Sequence, residues 1–176
     1  VTATFGRASH QVASTIGTTA SYLRINNDSV AQGRAFGDSD YRAHSRVLLV
    51  GPTVAKNLAG GDGSALLGQV IRLNGKEFTV AGILTAKGST GLGDSDDRII
   101  APASAVQDHL SGYGNLSSIS VKASSAETVD AAMAQVESIL DARHGTTADD
   151  RDFTVTSLAS FLEAAAGRSA STEAST

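Results

Sequence analysis

Apolar residues along most of the chain occur in short runs or alternate with polar residues. This pattern is typical of short β-strands, whereas long helices repeat their apolar residues every three or four positions. The predicted strands cover residues 1–6, 11–16, 46–50, 69–73, 77–84, 98–102, 117–123 and 152–156. The run at 46–50 is continuously apolar and is therefore expected to be buried on both faces.

Two of these strands are separated by Asn74-Gly75. Asn-Gly favours positive φ at both central positions of a turn, so it predicts a tight type I′ hairpin. On the second strand of this hairpin, Phe78, Val80 and Gly82 share one face. Because glycine has no side chain to pack, Gly82 predicts a bulge or a close neighbour at that point.

One long helix is predicted behind the capping-box pattern Ser124-x-x-Glu127, and it ends near His144-Gly145. Its apolar residues recur at helical spacing, at Val129, Met133, Val136 and Leu140. Together with the predicted strands on either side, it forms a strand–helix–strand sequence long enough for parallel pairing. Shorter helices are predicted over residues 20–25, 53–58, 105–110 and 158–166. Residues 17–19 are predicted to form the turn before the helix at 20–25, and Thr53 is predicted to be the N-cap of the helix that runs to residue 58.

Residues 87–97 are rich in glycine and aspartate and are predicted to form an exposed loop, and residues 37–41 a second, acidic one. Asp94, Asp96 and Asp97 are the candidates for a metal site, because oxygen ligands at nearby positions suit calcium. Their spacing lacks the glycine and the closing glutamate of an EF-hand loop. We therefore prefer the interpretation that these carboxylates accept hydrogen bonds from nearby backbone amides, and no metal is expected.

Composition excludes several functional classes. The net charge of −4, with no basic run, does not favour nucleic acid as a partner. The chain has no cysteine, which excludes disulfides, cysteine-ligated zinc and thiol catalysis. No stretch is apolar for long enough to predict a membrane span. The absence of an initial Met and the small, polar last residues, 168–176, predict that the chain is part of a longer protein and ends in a disordered tail.

No catalytic residue and no cofactor is predicted for this chain. Gly75-Lys76 lacks the remaining residues of a Walker A motif, so ATP is not expected to bind here. No G-x-S-x-G nucleophile elbow occurs. The histidines are scattered without metal-like spacing and are predicted to be surface residues: His10, His44, His109 and His144.

Several motifs follow one another in a distinctive order. A GQ-x-I-R-x-N-G segment is followed by F-x-V-x-G-x-L, then by a glycine-rich loop ending in aspartates and an apolar strand ending in proline. The order and spacing of these motifs resemble the extracytoplasmic (periplasmic core) domain of MacB-like and FtsX-like ABC transporter permeases. The matching residues of structural importance are Gly33, Gly51, Gly68, Asn74, Gly75, Gly82 and Pro102. The resemblance covers about residues 12–167.

The resemblance implies an α+β fold, with a porter-like βαβ unit at 117–156 and a second small β-rich subdomain with short helices inserted at about 30–112. Residues 1–167 would form the extracytoplasmic core domain, and 168–176 would lead to a transmembrane helix of the parent protein. Lys87, Gly88, Gly91 and Gly93 would form a partner-contact loop. The alanine- and glycine-rich, lysine-poor composition suits a high-GC bacterium such as an actinomycete.

The same resemblance implies a non-enzymatic domain at the outer side of the cell membrane. It would couple ATP hydrolysis by a cognate cytoplasmic ATPase subunit to movement outside the membrane, as part of a homodimeric exporter of peptide, antibiotic or lipid-linked substrates. The alternative is an extracytoplasmic ligand- or partner-binding module, such as a sensor or an activator of a cell-wall hydrolase, with a peptide or protein as its partner. A metal-dependent hydrolase built on the acidic loop is a third hypothesis.

Overall fold

The computed structural model of the protein describes residues 1–90, 93–157 and 159–160. Its strands are β1 Thr2–Phe5, β2 Ala8–Gln11, β3 Ser14–Thr18, β4 Val30–Gly33, β5 Val47–Val50, β6 Val70–Leu73, β7 Lys76–Leu84, β8 Ser89–Thr90, β9 Gly93–Asp94 and β10 Arg98–Pro102. Its α-helices are α1 Tyr22–Ile25, α2 Asp38–Arg42, α3 Pro52–Ala59, α4 Ala103–Val106 and α5 Val129–His144. Single helical turns cover Ser64–Leu66, Gln107–Ser111 and Ala126–Thr128.

Two compact units divide the chain, residues 1–120 and residues 121–176. The first unit contains a mixed sheet in the order β2-β1-β6-β7-β5-β10-β3, with β4 also paired to β7. Strand β7 runs antiparallel to β6 and β4 but parallel to β5, and β10 runs parallel to β3. This mixed sheet with short helices confirms the α+β class. Strands β1 to β3 belong to the same sheet, so the predicted subdomain boundary near residue 30 does not divide it.

The predicted type I′ hairpin connects β6 and β7. Asn74 and Gly75 have φ values of 48° and 82°, and the strands on either side pair in antiparallel register. Gly82 fulfils both expectations for that position. The register of β7 against β5 shifts next to it, and a Cβ atom at Gly82 would lie 2.8 Å from the carbonyl oxygen of Arg34. A side chain at Gly82 would therefore push β7 away from β4.

Buried clusters lie on both faces of the central strands of the sheet. On one face, α3 contributes Val54, Ala55 and Leu58 to a core that includes Phe78 and Ile99. On the other face, a smaller cluster is built from Phe36, Leu49, Leu84 and Ile100, with Tyr22 and Leu23 of α1 packed against it. The continuous apolar run of β5 supplies both clusters because its successive side chains point to opposite faces.

The junction between β5 and α3 depends on Gly51. Gly51 is the N-cap of α3 and Pro52 is its first residue, a position where proline costs no hydrogen bond. The prediction that Thr53 caps this helix is therefore wrong. The amide of Gly51 donates to the carbonyl oxygen of Arg98 at 2.8 Å, and a Cβ atom at Gly51 would lie only 2.1 Å from the carbonyl oxygen of Asp96.

Several local predictions in the first unit need correction. Residues 37–41 are not an acidic loop, because most of them belong to α2. Asp40 caps the start of this helix: its carboxylate accepts hydrogen bonds from the amide of Gly37 and from the side chain of Arg34. Residues 17–18 continue β3 instead of forming a turn, because they pair with the end of β10. The predicted strand 11–16 is divided between β2 and β3.

The predicted βαβ sequence begins at the end of the first unit and continues into the second, and only its helix is present among the described residues. Residues 117–123 and 152–156 form no strand, although their sequences alternate. A strand requires a neighbouring backbone edge, and Ile119 and Val121 remain 63% and 57% exposed. The capping box uses Ser125 and Thr128 instead of Ser124 and Glu127, and α5 ends at Gly145 as predicted.

Most of the predicted helix at 158–166 and all of the tail at 168–176 lie outside the described residues. Within the described ranges, no helix combines the length and the apolarity needed to cross a membrane.

Replacing Gly51 with alanine is expected to lower the free energy of unfolding by about 1–3 kcal/mol, because the new Cβ would force the backbone of Asp96 away from α3. Chemical denaturation of the purified chain measures this change. Gly114→Ala is the matched control, since a Cβ there meets no atom within 4 Å. Equal stability of the two variants would contradict the importance of this close approach.

Candidate functional site at the base of the glycine-rich hairpin

The glycine-rich loop contains a short antiparallel hairpin made of β8 and β9, in which Ser89 pairs with Asp94 and Thr90 with Gly93. Gly91, one of the residues of the predicted partner-contact loop, lies outside the described residues. We call residues 87–88 and 94–98 the hairpin base. The base is where the hairpin joins the main sheet, since it leads directly into β10.

Asp96 closes the hairpin base through the backbone. One carboxylate oxygen accepts from the amide of Lys87 at 2.8 Å, and the other accepts from the amide of Gly88 at 2.9 Å. Asp96 is buried, so the prediction that the whole loop is exposed is wrong at this residue. The structure agrees with the interpretation that aspartates of the loop bind nearby backbone amides.

Asp28 holds both sides of the hairpin base from the turn before β4. Arg98 donates to its two carboxylate oxygens at 2.6 and 3.1 Å, and the Nζ atom of Lys87 lies 2.6 Å from one of them. Lys87 also donates to the carbonyl oxygen of Asn26 at 2.8 Å. The Asp28 side chain is 1% exposed, so these two cations compensate for the loss of water around a buried carboxylate.

Asp28 was not identified from the sequence, where it is simply one polar residue in a turn. Its role depends on residues 59 and 70 positions later in the chain, and no local pattern signals that pairing. The neighbouring Tyr22 is affected by the same surroundings. Burial raises the pKa of its hydroxyl above 10.0, while the charge of Arg98 acts in the opposite direction.

Asp94 connects the hairpin base to α3. Its carboxylate accepts from the hydroxyl of Thr53 at 2.7 Å and from the amide of Asp96 at 2.8 Å. These hydrogen bonds, the one from Thr53 first, hold the pKa of the Asp94 carboxyl below its ordinary value of 3.8. Thr53 therefore stabilises the loop, not the start of the helix as predicted.

Asp97 connects the hairpin base to β2. Its carboxylate lies 2.8 Å from Nε2 of His10, whose Nδ1 atom is 3.2 Å from the side-chain amide of Asn57. The side chain of His10 is 18% exposed, so the prediction of a surface histidine is wrong here. His44 and His144 do lie at the surface and contact Asp108 and Asp152, whereas the ring of His109 packs edge-on against Phe78.

The described parts of the chain, residues 1–90, 93–157 and 159–160, contain no group of three or more His, Asp or Glu side chains arranged to hold a metal ion. Asp94, Asp96 and Asp97 are close in sequence, yet each accepts from a different part of the fold. The carboxylates of the loop are therefore used as internal anchors. The charged groups of the hairpin base fix the backbone of the loop.

The glycines of the family-like motifs have structural positions. Gly33 has a φ of 83°, and a Cβ atom there would lie 2.4 Å from the carbonyl oxygen of Ala81, so only glycine fits beside β7. Gly68, at a φ of 72°, faces open space and donates its amide to Val80. Pro102 is buried, ends β10 and precedes α4.

Asp96→Asn should open the hairpin base, because an amide group replaces one of the two acceptor oxygens with a donor. We expect hydrogen exchange at the amides of Lys87 and Gly88 to become roughly tenfold faster or more, as the loss of a charge-assisted hydrogen bond predicts. Asp149→Asn, the same change at an exposed residue, is the control. Unchanged protection at these two amides would show that Asp96 does not close the base.

Thr53→Val should raise the pKa of Asp94 towards 3.8, since it removes the hydroxyl that lowers it most while keeping the shape of the side chain. NMR titration of the Asp94 carboxyl carbon measures this. Because the pKa is lowered in the folded protein, the contribution of Asp94 to stability is present above pH 3.8 and is lost as the pH falls through the folded-state value. A titration identical to that of the wild type would contradict the Thr53 contact.

Comparison with known proteins supports one family. A family described as the MacB-like periplasmic core domain matches residues 1–139. The macrolide export ATP-binding/permease protein MacB of Rhodospirillum rubrum is 36% identical over 148 residues, which are 84% of this chain and 22% of that protein. The pyoverdine export ATP-binding/permease protein PvdT of Pseudomonas fluorescens is 32% identical over 151 residues, 85% of this chain and 22% of that protein.

Two solved structures share the fold. The extracellular domain of the noncanonic ABC-type transporter YknZ from Gram-positive bacteria has a TM-score of 0.69 at 21% identity, covering 83% of this chain and 72% of that one. The periplasmic region of MacB from Actinobacillus actinomycetemcomitans has a TM-score of 0.69 at 20% identity, covering 82% and 63%. The chain spans about a fifth of the length of the curated relatives. It belongs to the family of MacB-like periplasmic core domains, the extracytoplasmic parts of ABC transporter permeases.

Proposed function

We propose that this domain carries conformational change to the outer side of the membrane when an ATPase partner of its parent permease binds and hydrolyses ATP. The relatives support this proposal, because their names combine an ATP-binding part, a permease and an export function. The domain itself would bind no ATP. It would act in pairs, one from each of two permease copies, and would promote export of a peptide, an antibiotic or a lipid-linked compound without changing it chemically.

The observation that carries the proposal is that the buried carboxylates at the hairpin base bind donors within the domain itself. Asp28 and Asp96 are buried and bind donors of the protein's own chain, so the base is held firmly to the sheet. A body that transmits displacement must move without deforming, and fixed anchors of this kind provide stiffness. An enzyme would instead be expected to direct some of these groups at a substrate.

The partner-contact role of the hairpin forms part of the same proposal. Lys87 and Gly88 lie where the chain enters the hairpin and Gly93 lies in β9, so a stiff base would hold this loop in position for a partner. A peptide or an extracytoplasmic protein would be the occupant. Removing the anchor at Asp28 would be expected to weaken that contact without removing any residue of the loop.

A second candidate function is the recruitment of a protein partner, such as a cell-wall hydrolase, through residues 113–119. Tyr113, Leu116 and Ile119 are 72%, 67% and 63% exposed, which is unusual for large apolar side chains so close together in sequence. Exposed apolar residues of this kind are typical of protein interaction sites. This observation favours partner binding either alone or together with transport.

The proposed movement can be measured in the parent permease with spin labels. The chain contains no cysteine, so Lys56→Cys on the exposed side of α3 introduces one labelling site per copy in this domain. We expect the label-to-label distance distribution to change between the ATP-bound state and the ADP-bound state, since the two domains are proposed to move with the nucleotide cycle.

A single, unchanged distance distribution in both nucleotide states would overturn the transmission proposal. The second candidate would then be favoured if Leu116→Asp abolished binding of an extracytoplasmic protein while Ser118→Asp, a control between the apolar positions, preserved it. Transport assays with the same labelled protein show whether the label itself is tolerated.

A further inference from the structure

The chain reverses direction directly after α5 through a defined turn. Gly145 adopts a left-handed conformation, and the amides of Gly145 and Thr146 both donate to the carbonyl oxygen of Asp141, at 2.8 and 3.1 Å. The hydroxyl of Thr147 then donates to the carboxylate of Asp150 at 2.8 Å, and the amide of Asp150 donates back to the carbonyl of Thr147. The following residues therefore return along the helix that they have just left.

Arg151 fastens the returning segment to two successive turns of α5. Its Nε and Nη2 atoms donate to the two carboxylate oxygens of Asp141, at 2.9 and 2.7 Å, and its Nη1 atom lies 3.0 Å from the carboxylate of Glu137. Positions 137 and 141 are one helical turn apart and share a face. The three side chains are only 26%, 18% and 32% exposed, so the contact is partly shielded from water.

Two further contacts lie beside this ion pair. The ring of Phe153 stacks within 5.6 Å of the Arg151 guanidinium and meets the ring of His144 edge-on at 5.7 Å. His144 also lies 2.7 Å from the carboxylate of Asp152. The hydrogen bond from Arg151 is the largest cause of the lowered pKa of the Asp141 carboxyl.

We propose that Arg151 is a clamp that makes α5 and residues 151–157 move as one body, and that the parent permease depends on this clamp to connect the domain to the chain that follows. The second half of this inference rests on the proposed function. Arg151 is a positioning residue here: it touches no cargo and acts by fixing the direction in which the chain leaves the helix.

Without the Arg151 guanidinium, few contacts would hold residues 152–157 to α5. Glu137 and Asp141 would face each other as like charges on one side of α5, which is unfavourable at this spacing. Residues 152–157 form no strand in the described structure and would be attached mainly through exposed contacts of His144. A chain held only in this way behaves as a flexible linker, which absorbs displacement and does not transmit it.

The clamp is tested first in the chain itself, with a nitroxide on Thr154→Cys as the only label. In the wild type the spectrum should show a mainly immobilised label. In Arg151→Ala the mobile population should rise roughly tenfold, the factor expected for loss of a charge-assisted contact. Arg151→Lys, which keeps the charge but loses the two-pronged geometry, should fall between them.

Arg143→Ala is the matched control, because it removes an exposed arginine from the last turn of the same helix. It should leave the label immobilised. Asp141→Asn provides a second route to the same effect and should increase mobility as Arg151→Ala does. An immobilised label in both Arg151→Ala and Asp141→Asn would overturn the clamp.

The coupling role is tested in the parent permease by measuring transport and ATP hydrolysis together. Arg151→Ala should reduce the transport per ATP hydrolysed severalfold while hydrolysis continues, and Arg143→Ala should not. Wild-type coupling in an Arg151→Ala permease with a mobile label would overturn the coupling role alone. If the wild-type domain itself shows no nucleotide-dependent movement, the proposed function fails, and the label mobility still decides the clamp.

Discussion

The buried carboxylate of Asp28 is the constraint on which the hairpin base depends. A carboxylate with 1% exposure cannot be hydrated, so it requires cations from the protein, and the cost of removing one partner is large. The two cations come from opposite ends of the hairpin, Lys87 where the chain enters it and Arg98 where it leaves. Because Arg98 also begins β10, the same contact fixes where the hairpin joins the sheet. One charge thereby holds both ends of the loop in place.

This constraint gives a physical reason for some of the glycines in the motifs. The backbone of Asp96 can reach its position only because Gly51 leaves room for the carbonyl oxygen. Asp96 in that position can then accept from the amides of Lys87 and Gly88. Gly51 and the hairpin base, although distant in sequence, are therefore parts of one arrangement. They are expected to be needed for the fold, whatever cargo or partner a given family member has.

Local patterns were sufficient where a short segment determines its own conformation. Asn74-Gly75 produced the predicted hairpin because positive φ at both positions is a property of those two residues. The long helix was predicted correctly at its C-terminal end for a similar reason, since Gly145 alone allows the left-handed conformation. The family was also identified from local motifs, and the comparisons confirm it.

Local patterns failed where a conformation depends on distant residues. Asp28 looks like any turn residue until Lys87 and Arg98 are placed beside it. The strands expected at 117–123 and 152–156 have the right alternation, but a strand also needs a partner edge, which alternation does not supply. At residues 152–156 a competing interaction is visible, because Arg151 and Phe153 hold the start of this segment near the end of α5.

The ion pairs at the hairpin base and at the end of α5 differ in how strongly water reaches them, and this difference predicts a different sensitivity to salt. At the hairpin base both Asp28 and Arg98 are largely buried, so dissolved salt screens the attraction between them only slightly. At the end of α5 every member of the Arg151 contact is partly exposed, and salt and thermal motion weaken it more readily. Rising ionic strength is therefore expected to weaken the Arg151 contact before it affects the hairpin base. The better shielded anchor lies inside the first unit, and the more salt-sensitive contact lies inside the second.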